Sequence, residues 1–220
     1  MRHPLVLALA LLCPLLVTTA ARAQTLPDKK ATFGAFASPA ALPSGATSAY
    51  AFIGAPEVGG GYRMGFSGLE IDARVRFDYF SLAGALEGHL RYPVLQREKL
   101  QLAPSLGLGI VGNTGARYID DENFSYVGAR VIPGALLSYR VAETANLIGE
   151  ATVPMDFSLS PTGGWRVNPL IGGGGEIYVG EDISAAAVAL FGADVIKEPL
   201  GVSRSRFAFS FRVGLGYRFF

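Results

Sequence analysis

From residue 207 to residue 219 every second residue is apolar: Phe207, Phe209, Phe211, Val213, Leu215, Tyr217 and Phe219 alternate with Ala208, Ser210, Arg212, Gly214, Gly216 and Arg218. Successive side chains of a strand point to opposite faces, so this run specifies a strand with one apolar face and one small or polar face. A helix would repeat its apolar stripe every three to four residues instead. The same period occurs upstream, where Leu69, Ile71, Ala73, Val75, Phe77 and Tyr79 alternate with the charged Glu70, Asp72, Arg74, Arg76 and Asp78. The following segment sets Phe80, Leu82, Leu86, Leu90 and Tyr92 against Ser81, Ala83, Ala85, Glu87, His89 and Arg91.

With 50–54, 58–66, 100–110, 129–141, 145–157, 167–179 and 183–194, these make ten segments separated by turn residues. The segment 183–194 is Ala-rich and scores as helix by propensity, so its position between two good strands is what recommends it as a strand. Joins at Ser67-Gly68, 92–99, 140–144 and 180–182 are short, and those at 112–126, 158–166 and 195–206 are longer. Short turns at one end and longer loops at the other organise an up-and-down barrel threaded through an outer membrane. The expected fold is therefore all-β, a closed up-and-down antiparallel transmembrane β-barrel of about ten strands, with eight as the next choice. It occupies 49–220. Residues 24–48, rich in Ala, Pro, Ser and Gly, show no sustained period and read as a lead-in with at most a short strand at 31–37.

Residues 1–23 carry Arg2, an uncharged apolar run and an Ala21-Arg22-Ala23 cleavage pattern, which reads as a cleaved secretory signal. Beyond it no run of about 18 apolar residues could form a membrane helix, so entry into a bilayer would be by strands. Cys13 is the only cysteine and leaves with the signal, which removes disulfides from the exported chain. The 19 Lys and Arg lose Arg2 and Arg22, and 17 then face 18 Asp and Glu. With no basic cluster, nucleic acid is not an expected partner.

Alternation alone does not say which face is inside, because a soluble ligand-binding barrel inverts the same pattern. Three features favour apolar residues outside. The polar face is small, with sparse charges of both signs and only four Lys in the chain; the apolar face is nearly continuous; and Phe66, Tyr79, Phe80, Tyr92, Tyr139, Phe157 and Tyr217 lie near segment ends, where interfacial girdles form.

An export signal, alternating strands and a last strand ending Gly-Leu-Gly-Tyr217-Arg-Phe219-Phe220 resemble a small Gram-negative outer-membrane β-barrel protein of the OmpA or OmpX type, from about residue 46 to the end. The resemblance implies recognition by the barrel-assembly machinery through Phe211, Val213, Leu215, Tyr217, Phe219 and Phe220. Phe220 is one residue out of phase with the alternating set. The resemblance also implies outer-membrane lipid and lipopolysaccharide as surroundings, and a monomer.

If the apolar face meets lipid, the lumen receives Glu57, Arg63, Glu70, Asp72, Arg74, Arg76, Glu87, His89, Arg91, Arg130, Arg140, Glu150, Asp156, Arg166, Glu176, Arg212 and Arg218. Mixed signs predict a cross-strand salt-bridge network that fills the barrel, with Glu70, Asp72, Arg74, Arg76, Glu87, His89, Arg91, Arg130, Glu150 and Arg212 as its core. A selective pore would call for a ring of one sign. Glu87 and His89 could serve as orienter and base in a barrel-embedded hydrolase, but barrel deacylases carry His-x-Ser and the matching position here is Arg91. Asp120, Asp121 and Glu122 match no calcium loop, and Gly172 to Gly175 lacks the Lys-Ser/Thr of a phosphate loop. No metal or cofactor is expected. The expected function is a non-enzymatic structural or surface-interaction barrel or a narrow pore; a small-solute porin, a hydrolase using His89 and a soluble periplasmic barrel are the alternatives.

Overall fold

In the computed structural model, which describes residues 34–117 and 123–219, the alternating segments are strands. They are β1 (Thr47–Ala55), β2 (Glu57–Phe66), β3 (Leu69–Asp78), β4 (Ala83–Arg91), β5 (Leu95–Gln96), β6 (Leu100–Thr114), β7 (Ser125–Ala142), β8 (Ala145–Thr152), β9 (Met155–Ser160), β10 (Thr162–Val167), β11 (Leu170–Tyr178), β12 (Ile183–Lys197) and β13 (Ser203–Phe219). Ten of them close an antiparallel ring in the order β1, β2, β3, β4, β6, β7, β8, β11, β12, β13, with β13 returning to β1 from Thr47↔Phe219 to Ala55↔Phe211. A row of paired residues that starts at Thr47 passes through Met64, Ile71, Leu90, Leu106 and Pro133, and its continuation through Ala193↔Phe207 reaches β13 above the last β1 pair. That stagger is the shear a closed barrel requires.

Prolines shape two of the walls. Pro154 separates β8 from β9 and Pro169 separates β10 from β11, each at a position where a ladder N–H would be missing. Toward one end β8 pairs with β11; toward the other β9 pairs with β7 and β10, and β10 with β12. The ring thus keeps ten strands at both levels. The end where β1 begins and β13 finishes, called the near end here, carries the turns after β2, β4, β7 and β11. At Ser67 and Gly68 both φ angles are positive, 48° and 82°, as a two-residue hairpin turn of the twist-matched kind demands.

The three longer joins need correction. Residues 158–166 are no loop: β9 and β10 run through them and turn at Ser160 and Pro161. The joins read as 112–126 and 195–206 shrink to 115–124 and 198–202, because β6, β7, β12 and β13 extend further than their alternation suggests. The segment with helical propensity is β12, paired on both sides, since ladder bonds and an inner face of Ala186, Val188 and Leu190 outweigh propensity.

Polarity is inverted relative to a soluble barrel. Arg63, Glu70, Asp72, Glu87, Glu176 and Asp194 are all 2% exposed or less, whereas Ile53, Val75, Leu108, Ile110, Ile171 and Leu215 are 59–68% exposed on the outside. Tyr62, Phe66, Tyr139, Tyr217 and Phe219 form an outward aromatic set near the near end, and Phe157, Phe191, Phe207 and Phe209 one toward the far end.

Candidate functional site

Among the described residues the lumen is the interior that holds the polar groups and the cavities, and its lowest layer comes from residues that the sequence pattern left unassigned. Residues 34–46 fold into the near end, where Ala35, Phe36, Ala37, Ser38, Ala40, Ala41 and Leu42 are buried. No ladder holds them. The amides of Phe36, Ala37 and Ser38 donate to the Glu176 carboxylate at 2.8, 3.1 and 2.6 Å. Ala35 donates to Ser184 Oγ, Ala40 to Ser138 Oγ and Leu42 to Glu70 Oε2, while Arg63 donates to the Pro39 carbonyl. These amides and the Ser184 hydroxyl supply the hydrogen bonds that a buried carboxylate needs, which is how Glu176 stays buried. Phe36 packs edge-on against Tyr50 and Phe52 and occupies the space left by Gly214, where a Cβ would lie 2.3 Å from its ring. Gly216 makes the same allowance for Ala35.

Beside this segment the wall formed by β2, β3 and β4 carries the charges. Glu70 accepts from Arg63 at 2.8 and 2.9 Å and also from Arg91 and the Leu42 amide. Asp72 holds Arg74 and Arg91 at 2.9 Å each and accepts from Tyr50, whose hydroxyl in turn accepts from Arg74. Farther along, Arg76 bridges Glu57 at 2.8 Å and Glu87 at 2.7 Å, Arg130 joins Glu87 to Asp156, and Arg212 reaches Glu150 at 2.7 Å. The ten expected network residues fall into two sets of ion pairs, one of Glu70, Asp72, Arg74 and Arg91 with Arg63, and one of Arg76, Glu87, His89, Arg130, Glu150 and Arg212 with Asp156 and Glu57. Buried charges persist when each has partners, and these do.

His89 donates to or accepts from Glu87 Oε2 at 3.1 Å, its one hydrogen bond among the described residues. Glu87 Oε1 is already taken by Arg76 and Arg130. The imidazole lies on Gly107, where a Cβ would sit 2.7 Å from it. This is a histidine fixed in a salt-bridge wall.

Two cavities remain, of about 60 and 80 Å³, enough for a handful of waters each. The first has Phe36 and Ala37 as its floor and Arg74, His89 and Arg212 in its wall; the second rises to Pro56, Asp78 and Ser81 at the far-end turns. They adjoin, sharing Glu57, Arg76, Pro154, Leu170 and Ser210. Arg212 Nε faces the first cavity without a hydrogen-bond partner, as do Ser81 Oγ and Asn168 Oδ1 the second, which marks both as wet. Over the β6–β12 side of the far mouth, Phe124 packs on Tyr126 at 4.9 Å between rings, with Val111 and Ile196. Asn123 pins this cap to the Ser81 and Ala116 carbonyls.

Charges inside, an apolar belt outside and no open edge leave one solvent for this surface. The chain is a transmembrane β-barrel.

Among solved structures it is similar to the outer-membrane protease OmpT from Escherichia coli, at 12% identity over 79% of this chain and 93% of that one with a TM-score of 0.40. It is also similar to the KdgM porin, at 11% identity over 80% and 99% with a TM-score of 0.38, and to that porin in complex with disordered oligogalacturonate, at 8% identity over 80% and 99% with a TM-score of 0.36. Likenesses this distant carry no argument about activity. No protein-family model matches the chain, and no curated protein matches it.

Among the expected lumen residues Arg140 keeps the inward parity, opposite buried Asn146, but lies at the near rim and is exposed there. Asp194 was missed. It is 1% exposed and binds Arg166 and Arg206 at 2.7 Å, and its inward even-numbered position on β12 was the available signal. In the assembly set, Phe211, Val213, Leu215, Tyr217 and Phe219 all face outward, while Phe220, like Asp120, Asp121 and Glu122, lies outside the described residues.

Proposed function

We propose that this is a non-enzymatic protein of the bacterial outer membrane, a barrel of the small structural or surface-interaction kind that the OmpA or OmpX resemblance implies, closed to solutes at rest. Residues 1–23 would direct export, the barrel-assembly machinery would read the last strand, and lipid and lipopolysaccharide would surround a monomer. The near end, where β1 begins and β13 finishes, would face the periplasm. The observation that supports this reading best is the occupancy of the lumen: a buried segment at one end, ion pairs through the middle and cavities of only about 60 and 80 Å³. The test is single-channel recording of the refolded full chain in planar bilayers. Wild-type protein is expected to give no conductance steps, and regular steps would replace this reading with the small-solute porin. A hydrolase reading would instead require an activity that His89→Ala abolishes.

A further inference from the structure

The segment at the near end is bound in a way that a core element normally is not. Every wall strand pairs with its two neighbours without its help. Its own polar contacts are to wall side chains, from its amides and to its carbonyls and the Ser38 hydroxyl, so its departure breaks no ladder. It also precedes β1, and so leaves without threading any loop. The surface it covers is mixed: Glu176, Ser184, Ser138, Asn146 and Ser48 line the space beside apolar Tyr50, Phe52, Leu136, Ile148, Ala186 and Val188, and Glu70 keeps Arg63 and Arg91 whether or not Leu42 donates to it. Water entering would solvate the polar groups instead of stranding them. Directly above, Phe36 and Ala37 are the floor of the first wet cavity, which adjoins the second, which reaches the far-end turns.

We propose that residues 34–42 are a displaceable stopper, and that the two cavities are the resting form of a water-filled passage which opens when the stopper withdraws toward the periplasm. The proposal rests on the reading that the barrel is closed at rest. Arginines and glutamates alternate along the passage, in Arg74, Arg76, Arg91 and Arg212 against Glu57, Glu87 and Glu150, so it suits small hydrophilic solutes of either charge and lacks the single-sign ring of a selective pore.

Two full-chain variants release the stopper, one lacking residues 34–42 and one carrying Glu176→Ala, which removes the acceptor for three of its amides. Each is made with Ala186→Cys, a position buried against the stopper in a chain whose only cysteine is in the signal. A charged thiol reagent reports whether the stopper has left, heat-modifiable gel mobility reports the folded barrel, and planar-bilayer recording reads conductance. The expected result is labelling of Ala186→Cys and discrete conductance steps in the released variants, with neither in the protein that keeps residues 34–42 and Glu176. A third form, Glu176→Ala with Ala35→Cys and Gly216→Cys, is expected to be silent when oxidised and to conduct after reduction. Folded, labelled but silent variants would overturn the proposal. So would failure of the shortened chain to fold together with continued protection of Ala186→Cys in Glu176→Ala, which would make the segment part of the core. Conductance by unaltered protein would instead count against the closed resting state alone.

Discussion

Glu70 shows how a single side chain can hold an inverted barrel together. It is fully buried and accepts from two arginines and from the Leu42 amide, so it joins β2, β3, β4 and the stopper at one point. Removing one member of a buried ion pair strands the other, at a cost of about 3–5 kcal/mol. Glu70→Ala leaves Arg63, fully buried and already with one unpartnered Nη1, without its carboxylate, and should lower the unfolding free energy obtained from urea titration of the folded barrel by an amount in that range. On the other face, Val213 sits at the centre of the lipid-facing run of β13. An arginine on the lipid face near the bilayer midplane costs about 2–4 kcal/mol. Val213→Arg should therefore reduce the yield of inserted, heat-modifiable barrel, while Ser210→Asn, on the inner face, is expected to be tolerated. Ser210→Asp would be a poorer control, because Ser210 Oγ lies 3.3 Å from Glu57 and a second carboxylate there would repel the first.

At the scale of elements, the fit between β13 and the stopper is a matter of volume. The inner positions of β13 are small where residues 35 and 36 lie against them, at Gly214 and Gly216, and larger at Arg212 and Arg218 on either side. Gly214→Leu should push Phe36 out of its seat, an overpacking worth about 1–3 kcal/mol. Hydrogen exchange of the amides of residues 34–42 should then speed up, and Phe36→Ala in the same chain should slow it again. No recovery in the double variant would mean that the glycine serves something other than Phe36. The strands were legible because alternation encodes a face residue by residue, as in β3 and β13, and even the Ala-rich β12 kept its parity. The stopper was not, because a segment held by amide-to-carboxylate bonds needs no periodicity and its key acceptor, Glu176, lies on another strand. Its signals in the sequence are indirect: an inward carboxylate with no cation opposite it, and glycines where a lumen should be filled. The exposure of Arg140 was equally hidden, since alternation gives a residue's face but not how close it lies to the rim.

On the scale of the whole molecule, inversion of the faces decides everything else: charges can be buried only with partners, and the outer surface needs lipid. Neighbouring positions on β3 expose this directly, because Val75 is 59% exposed and Arg76 lies in the ion-pair layer between Glu57 and Glu87. The most direct measurement is electron paramagnetic resonance of a nitroxide at Val75→Cys, and separately at Ser210→Cys, in bilayers, comparing relaxation by dissolved oxygen with that by a water-soluble nickel complex. At Val75→Cys oxygen should dominate, as it does in hydrocarbon, while at Ser210→Cys neither should reach the label well. Nickel dominance at Val75→Cys, with oxygen favoured at Ser210→Cys, would mean that the charged face is the outer one and would contradict a membrane barrel.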